Sequence, residues 1–181
     1  MDELIEKIIK IKPTIIWIDG KNGSGKSFLA EKLGLKLNIP VIHVDDYLIT
    51  HQNSYVASLK LDELKQTIGE ALRPLIVEGV CLLKVRECLG FENGFDVYVK
   101  RMSPMGYWAD EDECDISESP EIFIQQQQEI LKKFSSLSVI KTTSSCCDDS
   151  EFPALTREII EYHFKYRPHE YSDVIYHRVD K

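Results

Sequence analysis

Short apolar runs alternate with amphipathic stretches along most of this chain. Residues 14–19 (TIIWID), 41–44, 74–77, 95–99 and 173–176 are dominated by apolar side chains, with no in-and-out alternation. Runs of this kind predict strands buried on both faces of a parallel sheet. Between them the spacing becomes helical. Residues 1–10 form an amphipathic helix leading into the first strand, and Leu29, Leu33 and Leu37 recur four apart after it. Leu61, Leu64, Ile68, Ala71 and Leu72 share one helical face, and a short helix is expected around 81–89. Ser119, Pro120 and Glu121 supply an N-cap, a first-turn proline and a first-turn acid for a helix reaching about Phe134. Pro153 opens a last helix to about Tyr166, and Pro168 stops it. Strands alternating with helices predict an α/β fold: a five-stranded parallel sheet with helices on both faces, forming three layers.

Between the first strand and the helix that follows it lies Gly20-Lys21-Asn22-Gly23-Ser24-Gly25-Lys26-Ser27. It fits G-x-x-x-x-G-K-[ST], the phosphate-binding P-loop pattern, in the strand-to-helix setting the pattern needs. Glycines at 20, 23 and 25 are expected to take positive φ and bring amide N–H groups close around a phosphate. A helix starting near Lys26 turns its unpaired amides and positive dipole end toward the same anion. Lys26 is expected on the β- and γ-phosphates and the Ser27 hydroxyl on Mg²⁺. Gly20, Asn22, Gly23, Ser24, Gly25, Lys26, Ser27 and Phe28 form the expected nucleotide-binding set. The pattern implies the three-layer P-loop nucleoside triphosphate hydrolase fold, with ATP and Mg²⁺ bound.

Ligands of open parallel sheets sit beyond the carboxyl ends of the strands. Acids fall there: Asp19 after the first strand, Asp45 and Asp46 after the second, Glu78 after the third. Asp19 is expected to be solvated or to cap the next helix. Asp45 and Glu78 are expected to function, one orienting Mg²⁺ or its waters and the other accepting a proton from an attacking hydroxyl. Asp45 is expected on the strand next to the P-loop strand, across from Ser27.

His43-Val44-Asp45-Asp46-Tyr47 resembles the second-strand segment of the uridine kinase-like P-loop kinases, which include uridine kinase, nicotinamide riboside kinase, pantothenate kinase and phosphoribulokinase. The resemblance implies that Asp45 is the catalytic base or metal-site acid, with Asp46 as the other candidate. Ile76-Val77-Glu78-Gly79-Val80 looks like the family's apolar-Glu-Gly segment, which implies Glu78 near the metal and the substrate hydroxyl. Residues 162–168, leading to 173–175, are similar to the family's ending beside the adenine. The implied activity is transfer of the ATP γ-phosphoryl to a hydroxyl of a nucleoside or related metabolite. Lys26, Asp45, Glu78 and Arg101 are its catalytic residues, and Ser27, Asp45 and Glu78 its metal site. The alternatives are a nucleotide-binding regulatory ATPase and a catalytically weakened family member.

The chain departs from the family after the fourth strand, where an arginine-rich lid is usual. Lys100 and Arg101 end that strand, and no Lys or Arg follows between Met102 and Leu131. Residues 102–118 are the expected lid, with Arg101 doing part of its work, helped by Arg157 or Arg167. The acids at 110–115 read as a solvated loop, and Tyr107 and Trp108 as an aromatic wall for a planar base or as an anchor for the lid.

Composition narrows the partners. At 181 residues the chain is expected to form a single domain. A net charge of −8 argues against extended nucleic-acid contact, so the expected partner is a small-molecule acceptor, with an oligomer compatible. Apolar runs fall short of a membrane span, the first residues lack a secretory pattern, and a cytoplasmic location is expected. Cys81, Cys88, Cys114, Cys146 and Cys147 include no C-x-x-C pair, so neither a zinc site nor a disulfide framework is expected. His43 reads as a core residue. His51, His163, His169 and His177 show no ligand spacing. Residues 135–150, rich in Ser, Thr and Asp, read as a mobile loop.

Overall fold

The computed structural model describes residues 1–49, 54–137 and 152–179. Residues 138–150 of the expected 135–150 loop, with Cys146 and Cys147, and His51 lie outside the described residues. In chain order the elements are α1 (Asp2–Ile11), β1 (Ile15–Asp19), α2 (Lys26–Leu37), β2 (Val41–His43), α3 (Leu61–Glu70), β3 (Leu75–Gly79), α4 (Leu82–Leu89) and β4 (Phe95–Met102). They continue with α5 (Glu111–Cys114), α6 (Pro120–Leu137), α7 (Ala154–Tyr166), α8 (Pro168–Tyr171) and β5 (Val174–Val179).

The five strands form one parallel sheet in the order β2-β3-β1-β4-β5. Alternate side chains of each strand point to opposite faces, and both faces are covered. Ile16, Ile18, Ile76, Val97 and Val99 pack with Leu4 and Ile8 of α1 and Leu29 and Leu33 of α2. Ile15, Trp17, Leu75 and Val77 pack on the other face with Leu64 and Ile68 of α3, Val85 of α4 and Ile159 of α7. This double burial is why the strands read as continuous apolar runs. Burial of such side chains stabilises the fold by roughly 1.5–3 kcal/mol each.

The strand order corrects one expectation. β2 does not neighbour β1; β3 lies between them and pairs with both. β3 is buried at every residue, as a central strand must be, whereas Val41 and His43 at the two ends of β2 are only partly buried and suit an edge. β4 runs on past the expected Val99 to Met102, pairing Arg101 with Arg178. Lys100 and Arg101 near its end are charged and only half-buried, which breaks the apolar signal before Met102. The described part of the connection between β2 and α3 also contributes to the core. Tyr55, Val56 and Leu59 are buried around a 3₁₀ turn at Val56–Ser58.

Candidate active site at the carboxyl ends of the strands

The phosphate loop leaves β1 and ends at Gly25, the N-cap of α2. Gly23 and Gly25 have φ of 76° and 91°, the left-handed conformation that side chains disfavour. Gly20 does not, contrary to expectation. A Cβ there would lie 2.6 Å from Ser24 Oγ and 3.0 Å from the Val99 carbonyl, so close approach excludes a side chain. The first amides of α2 have no intrahelical partner and face the loop. Lys26 is 5% exposed despite its charge, and Ser24 Oγ is buried without a hydrogen-bond partner among the described residues. Asn22, Ser27 and Phe28 are exposed, and Lys32 Nζ sits 4.3 Å from the centre of the Phe28 ring.

Glu78 is the most deeply placed of the expected acids. It pairs in register with Ile18 of β1 and His43 of β2, and its side chain is on the α2 face. Its Oε1 lies 2.6 Å from His43 Nδ1, and His43 Nε2 lies 2.7 Å from Oε1 of Glu31 on α2. Burial disfavours the imidazolium, but the two carboxylates outweigh it and hold the His43 pKa above its ordinary value. His43 is therefore a bridge between two acids, not a core residue. The other Glu78 oxygen, Oε2, is buried and makes no hydrogen bond among the described residues.

Asp45 and Asp46 follow β2 on a 3₁₀ turn, and both are exposed. The Tyr55 hydroxyl donates to Asp45 Oδ1. Burial and the Asp45 charge both raise the Tyr55 pKa, so Tyr55 keeps its proton and remains the donor. Tyr55 is held in turn by Glu158 of α7, which accepts its amide at 2.6 Å and the Val56 amide at 3.3 Å, and pairs with Lys84 at 2.8 Å. Burial alone would raise the Glu158 pKa; Lys84 and those amides hold it below the usual carboxylate value.

Asp19 is neither solvated nor a helix cap. It is buried, and it accepts hydrogen bonds from the Gly20 amide at 2.7 Å and from the Tyr162 hydroxyl. Burial raises its pKa to about 6, against the lowering effects of Tyr162, Gly20 and Lys26. Beside it, His163 donates from Nδ1 to the Ile159 carbonyl, which leaves Nε2 to accept the Tyr98 hydroxyl at 2.8 Å. Burial lowers its pKa to about 4 and keeps it neutral.

Of the acids at 110–115, Glu111, Asp112 and Asp115 are exposed as expected, but Asp110 and Glu113 are not solvated. Asp110 is buried, bonds Arg101 Nη2 at 2.8 Å and approaches Lys21 Nζ at 3.5 Å, while Glu113 pairs with the same Lys21 at 2.7 Å. Trp108 acts as the anchor and not as an open wall. It is buried edge-on against Tyr98, beneath Lys100 Nζ at 4.0 Å, and bridges to Met102. Arg157 is exposed on the first turn of α7, and Arg167 bonds Glu170. Among the described residues, Arg178 of β5 is a cation that reaches the phosphate loop from another element. Its Nη1 is 3.4 Å from the Gly23 carbonyl, and its side chain fills the space a Cβ on Gly25 would need.

The structure thus brings Lys26, Ser27 and Glu78 to one rim of the sheet, with Asp45 beyond β2 and Arg101 tied to the segment over the loop. Lys21, Tyr55, Glu158, Tyr162 and Arg178 escaped the sequence reading. Only Lys21 was visible there, by its place inside the motif. A glycine cradle, an orphaned Ser24 hydroxyl and an orphaned Glu78 oxygen suit a polyphosphate and a hard, oxygen-seeking cation.

No family model matches the sequence, and no curated protein matches it significantly. Solved structures do match. A possible uridine kinase from Bacillus stearothermophilus aligns with a TM-score of 0.52 at 17% identity, over 97% of this chain and 96% of that one. A shikimate kinase from Bacteroides thetaiotaomicron aligns at 0.41 and 17% identity, over 91% and 86%. The first likeness, spanning nearly all of both chains, together with the all-parallel sheet and the glycine-rich loop after β1, establishes a three-layer α/β fold of the P-loop type.

Proposed function

We propose that this chain is an ATP-dependent small-molecule kinase acting on a hydroxyl of a nucleoside or related metabolite. The observation that carries the reading is the buried, unpartnered Oε2 of Glu78. It lies on the strand between the phosphate-loop strand and the strand leading to Asp45. An acid kept buried there needs a cation or a polar substrate group.

In this reading the loop amides and Lys26 bind the phosphates, with Gly20, Asn22, Gly23, Ser24, Gly25, Ser27 and Phe28 completing the cradle. Ser27 and Glu78 would hold Mg²⁺, with Asp45 near it, and the ion would neutralise charge on the phosphate oxygens. Asp45 takes the proton of the acceptor hydroxyl as its oxygen bonds to the γ-phosphorus and the bond to ADP breaks. Tyr55 fixes the direction of Asp45. Arg101 and Arg178 supply positive charge at the loop, and residues 102–118 close over it as a lid within one P-loop kinase domain. The uridine kinase-like likeness supports a nucleoside-like acceptor.

A catalytically weakened nucleotide binder is the second reading. It is favoured by the pairing of Lys21 and Arg101 with Asp110 and Glu113, which neutralises two cations close to the loop. ADP release, measured with Mg-ATP alone and with a panel of nucleosides and small alcohols, separates the readings. Turnover raised by one acceptor class is the expected result. Acceptor-independent turnover makes the chain an ATPase, and binding without turnover makes it the weakened form.

A further inference from the structure

A second cluster of ligand-type side chains lies away from the phosphate loop, where the residue after α5 meets α8. His169 Nε2 is 3.5 Å from Asp115 Oδ1 and 3.9 Å from Glu170 Oε1. One donor atom from each of the three residues falls within 4.8 Å of the others. The His169 side chain is only 3% exposed, yet neither ring nitrogen makes a hydrogen bond among the described residues. Buried imidazoles nearly always find a partner, and an orphaned one is costly. Its ring is fixed by Trp108 at 5.2 Å, Tyr98 at 6.2 Å and His163 at 6.1 Å, so it cannot easily turn elsewhere.

We propose that Asp115, His169 and Glu170 bind a divalent transition-metal ion, zinc foremost. One imidazole nitrogen and two carboxylate oxygens are ordinary zinc donors. Tetrahedral ligands about 2.0–2.2 Å from an ion stand roughly 3.4 Å apart, close to both distances from His169. The two carboxylates are at the surface and can close the remaining gap. Asp115 and His169 line a cavity of about 480 Å³, bordered also by Ser117, Phe164 and Arg167, from which water can supply a fourth ligand. Magnesium is the poorer occupant because it favours oxygen-only sets and keeps its water. One contact competes: Arg167 bonds the same Glu170 oxygen, so the ion must take that oxygen over or use the other one. A bound ion would staple the end of α5 to α8. It would thereby fix the segment whose Asp110 and Glu113 hold Lys21.

The site is independent of nucleotide, and so is its test. The whole chain, stripped with a chelator and free of nucleotide, is titrated with Co²⁺ alone while its visible absorption is followed. Zn²⁺ is then added as competitor. The expected result is one equivalent of Co²⁺ with a nitrogen–oxygen ligand-field spectrum, displaced by Zn²⁺, and a higher melting temperature with Zn²⁺ than without. Asp115→Asn alters an exposed carboxylate and leaves the core intact. It should weaken binding by about 100-fold or more, since loss of even an outer partner commonly costs 10–100-fold. His169→Ala should do the same. Absence of binding to wild-type protein at millimolar Co²⁺, a sulfur-to-metal charge-transfer band, or unchanged affinity in Asp115→Asn would each overturn the assignment.

Discussion

Lys21 Nζ of the phosphate loop lies 2.7 Å from Glu113 Oε2 of α5, so the segment after β4 touches the loop through an ion pair. Burial works against the charged amine, but Glu113 and Asp110 outweigh it and raise the Lys21 pKa. An incoming triphosphate competes with Glu113 for this cation. Exchange across residues 102–118 should therefore change when nucleotide and acceptor bind, with net protection once both are present. Glu113→Gln should tighten nucleotide binding by about two- to fivefold, the scale of a part-exposed pair. Identical exchange in free and liganded protein would mean the segment is not a lid.

Asp19 gives a pH dependence of known sign. Its carboxyl titrates near 6 in the folded chain and near 3.8 when unfolded. The folded state therefore binds the proton more tightly. The associated stability is complete below about pH 4 and is lost as pH rises through 6, amounting to about 3 kcal/mol. Urea unfolding of wild type and Asp19→Asn between pH 4 and 7.5 isolates this contribution. The difference between the two proteins should slope through that window and level off above it. A flat difference would place the Asp19 pKa at its ordinary value.

These two cases mark how far the sequence could be read. Strands, helices and the phosphate loop were legible because burial on both faces and a glycine-lysine motif leave local patterns, at Ile15–Asp19 as at Leu75–Gly79. The order of β2 and β3 was not, since pairing is a long-range property that neither strand records. Tyr55 reaches Asp45 only because Glu158, far along the chain, binds the Tyr55 amide. Asp110 and Glu113 looked solvated like their exposed neighbours because their partners, Lys21 and Arg101, lie in other elements. Asp115 and His169 were invisible as a pair for the same reason.

Lys26 opens α2, at the positive end of the helix, and is expected to stabilise charge on the transferring phosphoryl group. Lys26→Ala should lower transfer by roughly 10²–10³-fold with the fold preserved, the usual cost of one such donor. Near-normal turnover by folded Lys26→Ala protein would remove the loop from the chemistry. Ser27→Ala, at an exposed position on the same turn, should chiefly weaken Mg²⁺-dependent nucleotide binding, read from a Mg²⁺ titration.

Glu78 and Asp45 differ in surroundings, and their variants should differ in kind. Glu78 is buried against His43 with one oxygen unpartnered, so Glu78→Gln should give a defect that eases as Mg²⁺ is raised. Asp45 is exposed and receives the Tyr55 hydroxyl, which leaves its second oxygen for an acceptor hydroxyl. A hydroxyl is a weak nucleophile near neutral pH and needs a carboxylate to take its proton. Asp45→Asn keeps the size and the bond from Tyr55 but removes the basic site. It should leave nucleotide affinity within a few-fold and cut acceptor phosphorylation by roughly 10²–10⁴, independently of Mg²⁺. Tyr55→Phe should act more weakly and in the same sense, by freeing Asp45 to turn. If Asp46→Asn carries the larger loss, the base is one residue further on. If neither aspartate variant slows transfer while both proteins still hydrolyse ATP, the acceptor hydroxyl is not activated here and the kinase reading fails.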